Sequence, residues 1–211
     1  MEKSYIKRME LKYLYDIGIN KNQIDLVDNL VKEGITKKLY TNSTIPYHSL
    51  SHAERVIIYS LWVSHNLEEE GTKIDNKDLL LKAALYHDCG RTWNPFAENH
   101  GISGAKKART LLKDELDEKS LNTLELLIET HAQKENKVNF KNYDFNNQEK
   151  KNIQLLSDIL KDADALDRNR IKLFTFARCK EEYLRTSIAK KIYLKSDEFY
   201  AKYMHAVKNS K

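Results

Sequence analysis

Glycine, proline and cysteine are scarce in this chain: six, two and two residues among 211. With so few helix breakers, long helices have little to interrupt them. Cys89 and Cys179 stand far apart and form no CxxC unit, so nothing supports a disulfide framework and a reducing compartment is expected. Cys89 is read as a buried thiol with no redox role. No apolar run approaches the roughly 18 residues that a membrane span needs. The N-terminal MEKSYIKRMELKY is too charged for a secretory signal, and a cytoplasmic protein is expected.

Hydrophobic residues make up 41% and charged residues 32%, which is ordinary for a globular chain and not for a disordered one. The length suits one domain with a proper core, taken here as residues 1–211. Thirty-six basic against 31 acidic side chains leave a net +5. That mild bias tolerates anionic substrates but supplies no concentrated basic face, so nucleic acid is disfavoured as a partner.

Apolar spacing predicts helices over 3–17, 21–33 (stopped by Gly34), about 52–70, a segment capped by Asp75 or Asn76 and ending near His87, 100–116, 119–132 and 149–166. One or two more helices are predicted within 170–206. The stretch TNSTIPYHSLS reads as a loop, with Ser51 capping the helix behind it. Residues 89–99 read as a loop near the site, and 134–148 as an ordered loop. No strand, repeat or interdomain linker is evident. The fold class predicted is all-α, a single helical bundle.

The pair His87-Asp88 closes the apolar run LLLKAAL. An imidazole and a carboxylate at the end of a buried helix are costly unless satisfied, and a metal ion satisfies both. His52 opens the helix upstream; His100, His131, Asp162 and Asp164 follow downstream, each at a helix start or end. Nitrogen and oxygen donors without thiolate suit divalent iron, manganese, nickel, cobalt, zinc or magnesium.

The order His52, His87-Asp88, Asp164 resembles the H…HD…D signature of the HD superfamily of metal-dependent phosphohydrolases. Asp164 is preferred to Asp162 because Ala163-Asp164-Ala165-Leu166 matches the A-D-x-L context of that family's last ligand. Asp162 and Asp167 are read as capping or pairing groups. His100 and His131 resemble the extra ligands of the two-metal subset. Tyr47-His48-Ser49 to His52-Ala53 also resembles the Y-H-N-x-x-H-A box of cyclic-nucleotide phosphodiesterases, in which the first histidine donates a proton. Ser49 stands where that box has Asn, and Cys89-Gly90-Arg91 departs from its further pattern, so only the superfamily is taken.

The resemblance implies an HD-type helical domain with its core at about 45–170 and two divalent ions on His52, His87, Asp88, His100, His131 and Asp164. It implies hydrolysis of a phosphate ester or nucleotide phosphoanhydride by a metal-activated hydroxide. His48 would protonate the leaving oxygen, Asp88 would bridge the ions, and Arg91 would clamp phosphate. Arg55, Trp93 and Arg168 complete the expected substrate contacts. Gly101 and Gly104 are read as leaving room for a ligand beside His100. A small phosphorylated metabolite or nucleotide is the expected partner, with the oligomeric state left open. Two rival readings share the ligand set: a mixed-valent diiron oxygenase and a non-catalytic nucleotide-binding module.

Overall fold

Glu54, buried near the start of the longest apolar helix, gathers the N-terminal chain onto the core. Its Oε1 accepts from Ser4 Oγ and from the backbone N–H groups of Tyr5 and Ile6 at 2.8, 2.8 and 3.0 Å. In this computed structural model, which describes residues 4–40, 49–91, 100–133, 137–171 and 178–209, the predicted 3–17 helix is interrupted. A 3-10 turn at Ile6–Arg8 is followed by extended Met9, then α1 (Leu11–Asp16). The anchored turn lets both Ile6 and Met9 point inward.

Nine α-helices and no strand occur among the described residues. The all-α expectation holds. After α1 come α2 (Lys21–Thr36), α3 (Leu50–Glu69), α4 (Lys77–Tyr86), α5 (His100–Leu112), α6 (Glu118–His131), α7 (Asn147–Asp167), α8 (Ser187–Tyr193) and α9 (Ser196–Lys208). Reciprocal capping boxes fix two starts, Asn20 with Gln23 for α2 and Asn146 with Glu149 for α7. Asp117 caps α6 by accepting from Ser120 N–H at 2.8 Å.

Several predicted boundaries move. Gly34 does not stop α2; it lies within the helix, where an added Cβ would sit 2.7 Å from Leu50 Cδ1, so the bare backbone lets α3 approach. Ser49, not Ser51, precedes α3. Asn76 enters α4 with a left-handed φ of 59° and no side-chain cap bond. Helix α5 ends at Leu112, short of the predicted 116.

Helix α3 is buried from His52 through Ser64, on every face. It packs against α2, α4 and α7, while α5 pairs with α6, and α6 contacts α4 and α7. This arrangement brings helix ends together: the start of α3 and α5, and the finish of α4, α6 and α7. Among the described residues no helix is long and apolar enough to cross a membrane.

Glycines make one of these approaches possible. A Cβ on Gly90 would lie 2.2 Å from Gly104 N and 2.6 Å from Gly104 Cα, and one on Gly101 would lie 2.6 Å from Glu129 O. Gly101 and Gly104 therefore admit the backbone of α6 and of the turn after α4, not a ligand as the sequence suggested. Lys107 Nζ and Ser103 Oγ fasten α5 to that turn through Cys89 O and Gly90 O, each at 3.0 Å. Gly90→Ala is expected to push α5 away, costing about 1–3 kcal/mol of stability as other overpacked sites do. Urea unfolding measures the loss.

Both cysteines are buried and free. Burial pushes the Cys89 and Cys179 thiols up to about 12. Neither should react with iodoacetamide at pH 8 in the native state, and both should react after denaturation, as counted by mass spectrometry.

Candidate metal centre

Five helix ends deliver six side chains to one place. His52 is the third residue of α3, while His87 and Asp88 follow α4 directly. His100 opens α5, His131 closes α6, and Asp164 lies one turn from the end of α7. His52, His87, Asp88 and His131 are buried, and His100 and Asp164 are partly exposed.

Asp88 stands between two groups of imidazoles. Its Oδ2 lies 3.6 Å from His52 Nε2 and 3.5 Å from His87 Nε2. Its Oδ1 lies 3.6 Å from both His100 Nε2 and His131 Nε2. Asp164 Oδ1 joins the first group, 3.2 Å from His52 Nε2 and 3.9 Å from His87 Nε2. Two triads have donor atoms all within 4.8 Å of one another: His52, His87 and Asp164, and His87, Asp88 and His131.

The ring nitrogens of His52, His87 and His131 that face away from the cluster are occupied. His87 Nδ1 donates to Ala84 O at 2.8 Å, and His131 Nδ1 donates to Ile128 O. His52 Nδ1 donates to Asp167 Oδ2 at 2.7 Å. Each ring therefore turns Nε2 inward, and His52 Nε2 and His87 Nε2 come within 3.1 Å of each other beside a carboxylate oxygen. Burial lowers His87 to about 3, so its imidazole is neutral at physiological pH. Inward lone pairs and carboxylates at this range repel unless a cation stands among them, so the donor set fits divalent metal.

Arg91, expected as a phosphate clamp, spans the second group. Its Nε donates to Asp88 Oδ1 at 2.8 Å and its Nη2 to His100 Nε2 at 3.1 Å. Arg55 requires a correction. It was expected at the substrate, yet its side chain is 6% exposed and forms a two-pronged pair with Asp167, Nε to Oδ1 at 2.6 Å and Nη2 to Oδ2 at 3.1 Å. A guanidinium enclosed behind His52 cannot reach a ligand on the far side of that ring. Arg168 is exposed on the 3-10 turn after α7. His48 and Trp93 lie outside the described residues.

Asp162 anchors the residues that lead into α8, accepting from Arg185 N, Thr186 N and Thr186 Oγ1 at 2.8 Å each, and Thr186 caps that helix. Sequence reasoning passed over two neighbours of the cluster, Tyr40 and Lys161, and read a third, Asp167, as a capping or pairing group without naming its partner. Asp167 holds His52. Tyr40 donates from its hydroxyl to Leu85 O at 2.7 Å, beside the turn that carries His87. Lys161, buried one turn before Asp164, donates to Gln133 O at 3.3 Å, just past His131. The i,i+3 spacing of Lys161, Asp164 and Asp167 was the available signal, since such residues share a helix face.

The sequence model of the HD domain matches residues 50–169, more than half the chain and all six converging side chains. The protein belongs to the HD domain family, a superfamily of metal-dependent hydrolases. No curated protein and no solved structure matches it significantly.

Proposed function

We propose that this chain is a metal-dependent phosphohydrolase acting on a small phosphorylated metabolite or nucleotide, by cleavage of a phosphate ester or phosphoanhydride. The observation that carries the reading is the position of Asp88, with one oxygen toward His52 and His87 and the other toward His100 and His131. A carboxylate so placed suits a bridge between two cations.

His52, His87, Asp88 and Asp164 would hold one ion, and Asp88, His100 and His131 the other. Two bound divalent ions would supply positive charge against phosphoryl oxygens and acidify a water molecule. Asp164, partly exposed, would orient the attacking water. Arg91, one-fifth exposed, exchanges its bonds to Asp88 and His100 for phosphate oxygens, which match a guanidinium bidentately. His48 protonates the leaving oxygen. The HD core and its terminal helices act as one domain, a reading supported by Glu54, which binds both the N-terminal turn and Tyr203 of α9.

The test is elemental analysis of purified protein, then a phosphatase and phosphodiesterase screen with Mn²⁺, Ni²⁺, Co²⁺ and Mg²⁺. Turnover that requires added metal supports the reading. Iron-dependent oxygen uptake without phosphate release overturns it in favour of an oxygenase. Tight nucleotide binding by inert, metal-loaded protein overturns it in favour of a binding module.

A further inference from the structure

Of the three imidazoles whose outer nitrogens are described, two lean on neutral carbonyls of their own helices, three residues back. His52 does not. Its Nδ1 meets a carboxylate from a different helix, Asp167 of α7, 115 positions along the chain. Asp164 and Asp167 are one helical turn apart, and they hold the same ring at both ends: Asp164 Oδ1 is 3.2 Å from Nε2 and Asp167 Oδ2 is 2.7 Å from Nδ1.

Asp167 is itself fixed from three sides. Arg55 grips both its oxygens, and Arg170 Nη1 donates to Asp167 Oδ2 and to Asp167 O, each at 2.9 Å. The Arg55 guanidinium lies over the rings of Tyr200 and Tyr203 at 5.5 and 4.9 Å. Tyr203 is tied in turn to Glu54 Oε2 by a 2.6 Å hydrogen bond from its hydroxyl. These tyrosines belong to α9, which lies beyond the residues matched by the family.

We propose that Asp167, clamped by Arg55 and Arg170 against α9, is a positioning residue that locks His52 in the Nδ1–H tautomer with Nε2 presented to the metal centre. The proposal rests on the metal-centre reading above. Both oxygens of Asp167 already accept from guanidinium N–H groups, so the atom facing Nδ1 is an acceptor and Nδ1 carries the proton. A lone pair is then left on Nε2 before any ion arrives. Supports of this kind commonly change metal affinity by about 10- to 100-fold when removed. Among the three histidines this one takes its orientation from a charge rather than a carbonyl.

Metal-free protein labelled with ¹⁵N-histidine reports each ring tautomer by long-range ¹H–¹⁵N correlation at pH 7.5. Wild type is expected to show His52 as the Nδ1–H form. In Asp167→Asn an amide N–H can face Nδ1, so the Nε2–H form should appear and Mn²⁺ affinity by titration calorimetry should fall about 10- to 100-fold. Asp167→Glu should recover part of both readouts. Tyr203→Phe serves as the stability control: it should lower the melting temperature while leaving the tautomer intact. Should Asp167→Asn fail to fold, the double variant Arg55→Met with Asp167→Leu, which removes the carboxylate without orphaning the guanidinium, gives the same comparison. An unchanged tautomer and unchanged Mn²⁺ affinity, in whichever of these two variants folds, overturn the proposal. Wild type that binds no Mn²⁺, Ni²⁺ or Co²⁺ would instead sink the metal reading, with the tautomer result standing on its own.

Discussion

Asp88→Ala is expected to abolish binding of both ions and with it turnover. Asp88 faces both groups of imidazoles, at 3.5–3.6 Å on each side. Removing a single group that stabilises a transition state costs about 10²–10³ in kcat. Loss of a carboxylate common to both ions should reach or pass the upper end of that range. Elemental analysis of the purified variant checks the binding and a phosphate-ester assay checks the rate. Asp88→Asn separates charge from shape, because it keeps the volume and removes the bridging anion. Retained turnover in Asp88→Ala would reject the two-ion mechanism while leaving the fold untouched.

Arg55→Met should be the most destabilising single change on the α3–α7 interface, by about 3–5 kcal/mol. Breaking a buried ion pair on one side leaves a charge without compensation, and the penalty is larger than the pair was worth. Asp167 would keep Arg170 but lose the partner that binds both its oxygens. Burial tends to raise this carboxyl; Arg55, Arg170 and the hydrogen bond from His52 reverse that and hold it well below the ordinary range. The double variant Arg55→Met with Asp167→Leu should regain part of the loss, since replacing both members of a buried pair is far milder than orphaning one. Urea midpoints of the wild type and the variants measure this. A single variant within about 0.5 kcal/mol of wild type, the range of an ordinary surface change, would show that the pair carries no structural weight.

The two halves of the site differ in how readable they were. His52, His87, Asp88, His100, His131 and Asp164 announce themselves by residue type, because imidazole and carboxylate at the ends of apolar helices have few inexpensive alternatives. Arg55 and Asp167 gave no such signal. Either could be an ordinary surface charge until α3 and α7 are laid side by side, and Arg55 was accordingly misplaced at the substrate. Gly34 shows the same limit in the backbone: a glycine that ends a helix and one that lets a neighbouring leucine approach look alike in one dimension. The predicted 3–17 helix is interrupted at extended Met9, and its first turn is pinned to Glu54, some 50 residues away.

The sequence alone determined that the chain is helical, where most of the helices run, and which side chains have metal-binding chemistry. Those properties are local, set by apolar periodicity, capping residues and donor type. Tertiary structure alone decided that five helix ends meet, that Asp88 turns one oxygen to each group, and that His52 is gripped at both nitrogens from α7. Such facts depend on the packing of elements far apart in the chain, and a spacing along one strand of residues carries no record of an angle between two helices.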